Sequence, residues 1–362
     1  MNNKLKVIQL IDSLNAGGAE MMAVNIANEL ANENGIVSYL CTTRLEGILK
    51  DKLSPRVQYL FLNKKSRLDF RAIKKLNKFI NVHQITTIHA HSSSYFMGFL
   101  MRLLNPELSL IWHNHYGNSK NLPFQKKIPL QLISKFFAAI ISVNKILNEW
   151  ALNYLKVPRS FYVPNFASFN EHEAPVTLLK GLKDKRMLCL ANLRPEKDHL
   201  NLLKAFKIVH EKYSDWTLHL VGMDLLDKYS KMLKDYLKSN ELNNHVFLYG
   251  SCKDTSFILT QTSIGVLSSK SEGLPVALLE YGLAKLPVVV TDVGECAKVV
   301  IHERSGMVVV PQNEEELAKA IEVLILNKNL RTVLSTDLYE TIEMNYSKSN
   351  FIQSLISIYN ID

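Results

Sequence analysis

Glu272 and Glu280 stand eight positions apart in the run SEGLPVALLEYGLAKLPVVVTDVGE, residues 271–295. Pro275 suits the first turn of a helix, where its missing N–H would have no partner anyway. The run therefore predicts a loop carrying Glu272, then a helix over about 276–284 carrying Glu280. Gly273 lets the backbone approach a ligand closely. Unpaired N–H groups at the helix start attract phosphate. Carboxylates accept paired hydrogen bonds from sugar hydroxyls. Phosphate recognition beside two hydroxyl-binding groups has the shape of a nucleotide-sugar site. The plainer reading is a solvated helix cap and a solvated helix face.

Three other stretches carry chemistry. In LANLRPEKDHLNLLKAF, residues 190–206, Arg194 and Lys197 would aim cations at a diphosphate, helped by the dipole of the helix that follows. In LIDSLNAGGAE, residues 10–20, Gly17 and Gly18 allow close backbone approach to a charged ligand. This is not the G-x-G-x-x-G fingerprint, and YLCTTR lacks an acid near the end of a second strand, so a nicotinamide cofactor is disfavoured. Two H-x-H pairs, His89/His91 and His113/His115, each put both rings on one face of a strand, where a metal could be held. No nearby carboxylate completes either set and no D-x-D occurs, so no metal is expected.

Short apolar runs must position these residues. KVIQLI, IVSYLCT, ITTIHAH and LIWHNHYG alternate with helix-like stretches in the first half, and RMLCLANL, WTLHLVG, VFLYG, IGVLSS and PVVVTD do so in the second. That β–α rhythm predicts two doubly wound parallel sheets covered by helices. The span VPRSFYVPNFASFNEHEAPVT breaks the rhythm and reads as the linker. The expected domains are 1–165 and 170–345, with a helix over about 346–362 packing back on the first. Ligands of such sheets bind outside the carboxyl ends of the strands.

The chain has 362 residues, 47% of them hydrophobic, which suits two ordered domains. No apolar run is long enough to span a bilayer. The N-terminus, broken by Gln9 and Asp12, reads as a strand and not a signal peptide. Four scattered cysteines fit a reducing cytoplasm. The net charge of +9 is uneven: residues 1–165 hold 21 Lys and Arg against 9 Asp and Glu, while the rest of the chain is net acidic. One half thus suits an anionic partner, a nucleic acid or the inner face of a membrane. QKKIPLQLISKFFAAII, residues 125–141, is basic and then apolar, as a membrane-surface helix would be, although a core-facing helix reads equally well.

SEGLPVALLE resembles the E-x7-E motif of the retaining family 4 glycosyltransferases, and PVVVTDVG extends the likeness. LANLRPEKD resembles that family's GRL…EKG loop: Lys197 aligns with its lysine, whereas its arginine falls on Asn192 and Arg194 lies two residues later. GGAE is similar to the family's opening loop. The resemblance covers nearly the whole chain and implies an α/β GT-B fold, two facing Rossmann-like domains with an interdomain cleft. It implies a catalytic set of His115, Lys197 and Glu272, and donor-binding roles for Gly17, Gly18, Arg194, Lys197, Glu272, Gly273, Leu274, Pro275 and Glu280. Glu272 would meet the donor sugar and Glu280 the ribose. His115 would touch the donor sugar, His113 would support it, and His91 would face the acceptor.

The implied reaction is metal-independent, retaining transfer of a hexosyl group from a UDP- or GDP-sugar to a glycan or lipid-linked saccharide, in bacterial surface polysaccharide synthesis. It needs no cofactor beyond the nucleotide sugar, no nucleic acid and no protein nucleophile. The setting would be the cytoplasm, peripheral on the inner membrane face. A nucleotide-sugar epimerase of the same fold and a non-catalytic partner subunit are the alternatives.

Overall fold

The computed structural model describes residues 4–115 and 124–361, with the side chains of 124–126 left aside. The chain forms two compact units, Met1–Asn165 with Lys348–Asp362, and Phe166–Ser347.

The first unit holds, among the described residues, a seven-stranded sheet of β1 (Leu5–Ser13), β2 (Ile36–Leu45), β3 (Gln58–Phe61), β4 (Thr87–His91), β5 (Ser109–Asn114), β6 (Ala139–Ser142) and β7 (Ser160–Tyr162). Every pairing is parallel and the spatial order is β3-β2-β1-β4-β5-β6-β7. All five residues of β4 are buried, as expected where helices cover both faces. Ile88 and Ala90 enter an apolar core with Leu110, Trp112 and the buried stripe Ala72, Leu76 and Ile80 of helix Phe70–His83. That helix starts where the Asp69 carboxylate accepts from the Ala72 amide at 3.1 Å. Period-two alternation sends His89 and His91 to the opposite face. There the terminal helix Lys348–Tyr359 sits, buried through Phe351, Ile352, Leu355, Ile358 and Tyr359.

The second unit holds a six-stranded parallel sheet among the described residues: β8 (Arg186–Leu190), β9 (Thr217–Val221), β10 (Val246–Gly250), β11 (Ile264–Leu267), β12 (Val288–Thr291) and β13 (Met307–Val309), ordered β10-β9-β8-β11-β12-β13. Val288, Val289, Val290 and Thr291 of β12 are all buried, so the run reads as continuous apolar sequence instead of alternating. The α/β architecture of two Rossmann-like domains agrees with the reading from sequence. In each unit the order reverses beside the first strand, between β1 and β4 and between β8 and β11. Such reversals open a crevice at the carboxyl ends of the strands.

Two local expectations need correction. Pro275 is not in the first helical turn: it is the extended cap residue (φ −71°, ψ 122°) of a helix that spans Val276–Leu283. The run 125–141 is not one helix. Helix Phe124–Ile133 ends in a short 3-10 turn at Ser134–Phe136, and Ala139–Ile141 then enter β6 as buried core. Its apolar second half fills the sheet interior, while Ile128 and Leu132 of the helix are exposed.

Candidate active site

In the second unit, the loops beyond the two strands flanking the reversal carry candidate residues. Beyond β8 the chain makes a tight turn at Pro195–Lys197 and enters helix His199–Lys212 through Asp198, which is held left-handed at φ 47°, ψ 47°. Beyond β11 comes the loop with Glu272. Lys197 Nζ lies 2.6 Å from Glu272 Oε1, and the Ser269 hydroxyl donates to the same oxygen at 2.6 Å. No bond falls on Oε2 among the described residues. The Glu272 side chain is 7% exposed and that of Lys197 26%, so the pair is shielded yet reachable.

The neighbouring bonds lock this geometry. Ser268 Oγ donates to the carbonyls of Lys197 and Asp198 at 3.1 and 3.2 Å. Lys270 donates its amide to the Glu196 carbonyl at 2.8 Å and its ammonium pairs with Asp198 at 3.1 Å. These cross-loop bonds hold a non-glycine residue in a left-handed conformation that costs roughly 1–2 kcal/mol. Such conformations persist where the surroundings over-determine them, often at functional sites. The loop after β12 closes the far side: the Glu295 amide donates to the Gly273 carbonyl at 2.9 Å. Gly294 has φ +58°, and a Cβ there would lie 2.3 Å from the Glu272 carbonyl oxygen, so only glycine lets the two loops meet.

Glu280 is buried in the middle of helix Val276–Leu283, with Leu274 and Pro275 buried ahead of it and Gly273 half-buried. Arg194 is exposed, and the structure does not bring it into the Lys197–Glu272 contact. Asn192, where the family's arginine was expected, instead accepts from the Met223 amide at 2.7 Å and ties the loops after β8 and β9 together. Spacing gave no sign of Ser269, Asp198 or Tyr281. The last is fully buried: its hydroxyl accepts from the Leu190 amide at 2.7 Å, and its ring packs where a Gly265 Cβ would come within 2.8 Å.

In the first unit, Gly17 is the extended cap (φ −172°) of helix Gly18–Leu30 beyond β1, half-buried, and Gly18 is exposed. Any residue adopts that backbone, so Gly17 is not demanded by its conformation. The two H-x-H pairs, read as separate from spacing alone, form one cluster. His91 lies directly opposite His113 across β4 and β5. His91 Nε2 donates to Gln9 Oε1 at 2.8 Å, so Nδ1 accepts from His115 Nε2 at 2.9 Å. His89 Nδ1 and the Tyr359 hydroxyl are 2.6 Å apart, and Gln9 Nε2 donates to that hydroxyl at 3.3 Å. Burial drives His91 and His113 well below the ordinary histidine range, and His89 and His115 to about 3, so all four rings are neutral at pH 7. His89 Nε2 and both His113 nitrogens lack a hydrogen-bond partner among the described residues. An unpaired buried polar group of this kind costs about 1–3 kcal/mol. Gln9 and Tyr359 were invisible to the sequence reading.

Comparison with known proteins agrees with this fold. Residues 16–168 match Glycosyltransferase Family 4 and residues 171–340 match Glycosyl transferases group 1. The two matches support a GT-B glycosyltransferase family for this chain. An uncharacterized glycosyltransferase of Haemophilus influenzae is 25% identical over 327 residues, 88% of this chain and 90% of that protein. The poly(ribitol-phosphate) alpha-N-acetylglucosaminyltransferase of Staphylococcus aureus is 24% identical over 68% of this chain and 49% of its own length. Anabaena HepE, crystallised with UDP and glucose, superposes with a TM-score of 0.80 at 17% identity, covering 98% of each chain, and shares the fold. No helix among the described residues is long and apolar enough to cross a membrane.

Proposed function

We propose that this chain is a retaining, metal-independent glycosyltransferase whose second unit binds a nucleotide-diphosphate sugar and whose first unit binds a glycan or lipid-linked saccharide. The observation that carries it is the Lys197–Glu272 contact at the sheet reversal, a cation and a hydroxyl acceptor in one shielded place. Lys197 has N–H donors to spare for the leaving diphosphate, where charge develops as the sugar–oxygen bond breaks. Arg194, exposed three residues earlier, would add a second cation at the diphosphate. Glu272 Oε2 accepts from a sugar hydroxyl, and Glu280 accepts from the ribose. The acceptor oxygen forms its bond to the sugar on the face the phosphate leaves, and its proton passes to that phosphate. The UDP in the HepE crystal supports screening uridine donors first. The name of the Staphylococcus aureus relative supports including a poly(ribitol-phosphate) polymer among the acceptors screened.

A thermal-shift screen of UDP- and GDP-sugars in EDTA tests this reading. One nucleotide series should raise Tm without added metal. Glu280→Gln removes charge-assisted hydrogen bonds worth about 1.5–3 kcal/mol. It should weaken nucleoside diphosphate binding at least tenfold with the fold intact, as roughly 1.4 kcal/mol corresponds to each decade. Equal affinity of the two proteins by calorimetry removes Glu280 from the site.

The basic first unit supports docking at an anionic membrane face. Phe70 is 73% exposed at the start of a helix that presents Arg71, Lys74 and Lys78. Ile128 and Leu132 are exposed near Lys127 and Lys135; the Lys126 side chain lies outside the described residues. Lys64 is buried and is no part of that surface. Each cation near such a surface contributes about 1 kcal/mol. Replacing Lys74, Lys78, Lys127 and Lys135 with Glu should therefore lower sedimentation with anionic vesicles at least tenfold and leave nucleotide affinity unchanged. High salt should do the same to the wild type. Wild-type protein that stays in the supernatant with anionic and neutral vesicles alike makes the basic half a solubility feature.

A further inference from the structure

The function proposed above leaves His89 and His113 without work. They are fully buried, and with His91 they bring ligating nitrogens within 4.8 Å of one another. We propose that His89, His91 and His113 form a binding site for a divalent transition-metal ion of the zinc class, enclosed beneath the C-terminal helix of the first unit.

The donor set fits. Imidazole suits zinc, cobalt, nickel and copper, and three histidines plus one small ligand make a tetrahedral site. Zinc-binding histidines characteristically give their other ring N–H to a fixed acceptor, which orients the ring. Here His91 Nε2 donates to Gln9 Oε1, leaving the Nδ1 lone pair as ligand. His89 Nδ1 meets Tyr359 Oη, and with its N–H directed there Nε2 becomes the ligand. His113 has both nitrogens unpaired among the described residues and supplies either. Each ring is neutral, the form that ligates.

The backbone holds the three rings together without help from the metal. His89 and His91 share one face of β4, and His113 is the register partner of His91 on β5, with ring centroids 4.6 to 5.4 Å apart. Nitrogens at about 2.0–2.1 Å from a tetrahedral ion stand roughly 3.3 Å apart, so the rings close by side-chain rotation. Ligation exchanges the His91–His115 hydrogen bond for a metal bond and frees His115. With no carboxylate among the three ligands, the site keeps the ion's charge and favours hydroxide or another small anion in the fourth position. The Tyr359 link makes the ion a clamp between the sheet and the terminal helix. It is a structural site, separate from the Lys197–Glu272 pair.

The test uses the full chain, stripped with EDTA and dialysed, and Co²⁺ and Zn²⁺ alone as probes. Co²⁺ should bind one per chain with the visible absorption of a tetrahedral nitrogen site. Zn²⁺ at about a hundred times its Kd should raise Tm by roughly 5–10 °C. His113→Asn and His89→Asn should each abolish both signals, and whichever folds decides the matter. Absence of absorption and of any shift in the wild type overturns the site and leaves buried water as the partner of the orphaned nitrogens. Signals that persist unchanged in the variants also overturn it, and move the ion elsewhere, such as to the His210–His245 pair with ring centroids 3.9 Å apart.

Discussion

Lys197→Met should lower kcat for sugar transfer about 10²–10³-fold, the usual loss when one preorganised group opposite a developing negative charge is removed. The methionine replaces the apolar stem of the lysine without its ammonium, so the turn at Pro195–Lys197 and the Ser268 bond to its backbone should remain. What disappears is the ammonium 2.6 Å from Glu272. Two roles of Lys197 separate here. If it stabilises the leaving diphosphate, turnover falls while donor KM changes little, because the interaction strengthens in the transition state. If it serves only to neutralise Glu272, the loss appears as lower stability, because a largely buried carboxylate has lost its partner. A stability loss in Lys197→Met that Glu272→Gln then relieves marks the second role, whereas low turnover with unchanged stability marks the first. Steady-state kinetics and thermal melts of the single and double variants read this directly. A kcat within threefold of wild type refutes the role proposed for Lys197.

Tyr281→Ala should cost the second unit about 3–5 kcal/mol, the range for emptying the place of a large buried aromatic ring. For a unit of this size that is a fall in Tm of roughly 6–20 °C. Tyr281 is the neighbour of Glu280 on the helix and points into the sheet. Its ring covers the bare backbone of Gly265 on β11, and its hydroxyl accepts from the Leu190 amide at the end of β8. Tyr281→Phe keeps the ring and loses the hydroxyl, so it should cost only about 1 kcal/mol. The alanine variant should also weaken nucleotide binding, since this ring anchors the helix carrying Glu280 between the two strands that flank the reversal. Chemical denaturation followed by tryptophan fluorescence measures the first effect and calorimetry the second. An alanine variant that unfolds with the wild type would mean the site closes around the cavity.

The alternation of apolar and helical runs determined the α/β class, because a strand covered by helices on both faces must be apolar throughout, as VVVT in β12 is. Residue types also exposed Lys197, Glu272 and Glu280 as candidates, since short loops after strands put their side chains at the carboxyl ends whatever the details of packing. What lay beyond sequence was everything decided by which strands become neighbours. Spacing showed His89/His91 and His113/His115 only as two pairs, because the register that sets His91 against His113 is a property of the β4–β5 pairing. Gln9 and Tyr359, 350 positions apart, meet through one hydrogen bond that the terminal helix creates by folding back on the first sheet. The 2.6 Å Lys197–Glu272 contact likewise depends on β8 and β11 lying side by side, although 75 residues separate the two side chains. A hydrophobic pattern records which face of an element is buried. It does not record what that face is buried against, and that choice rests on the summed packing of the whole sheet.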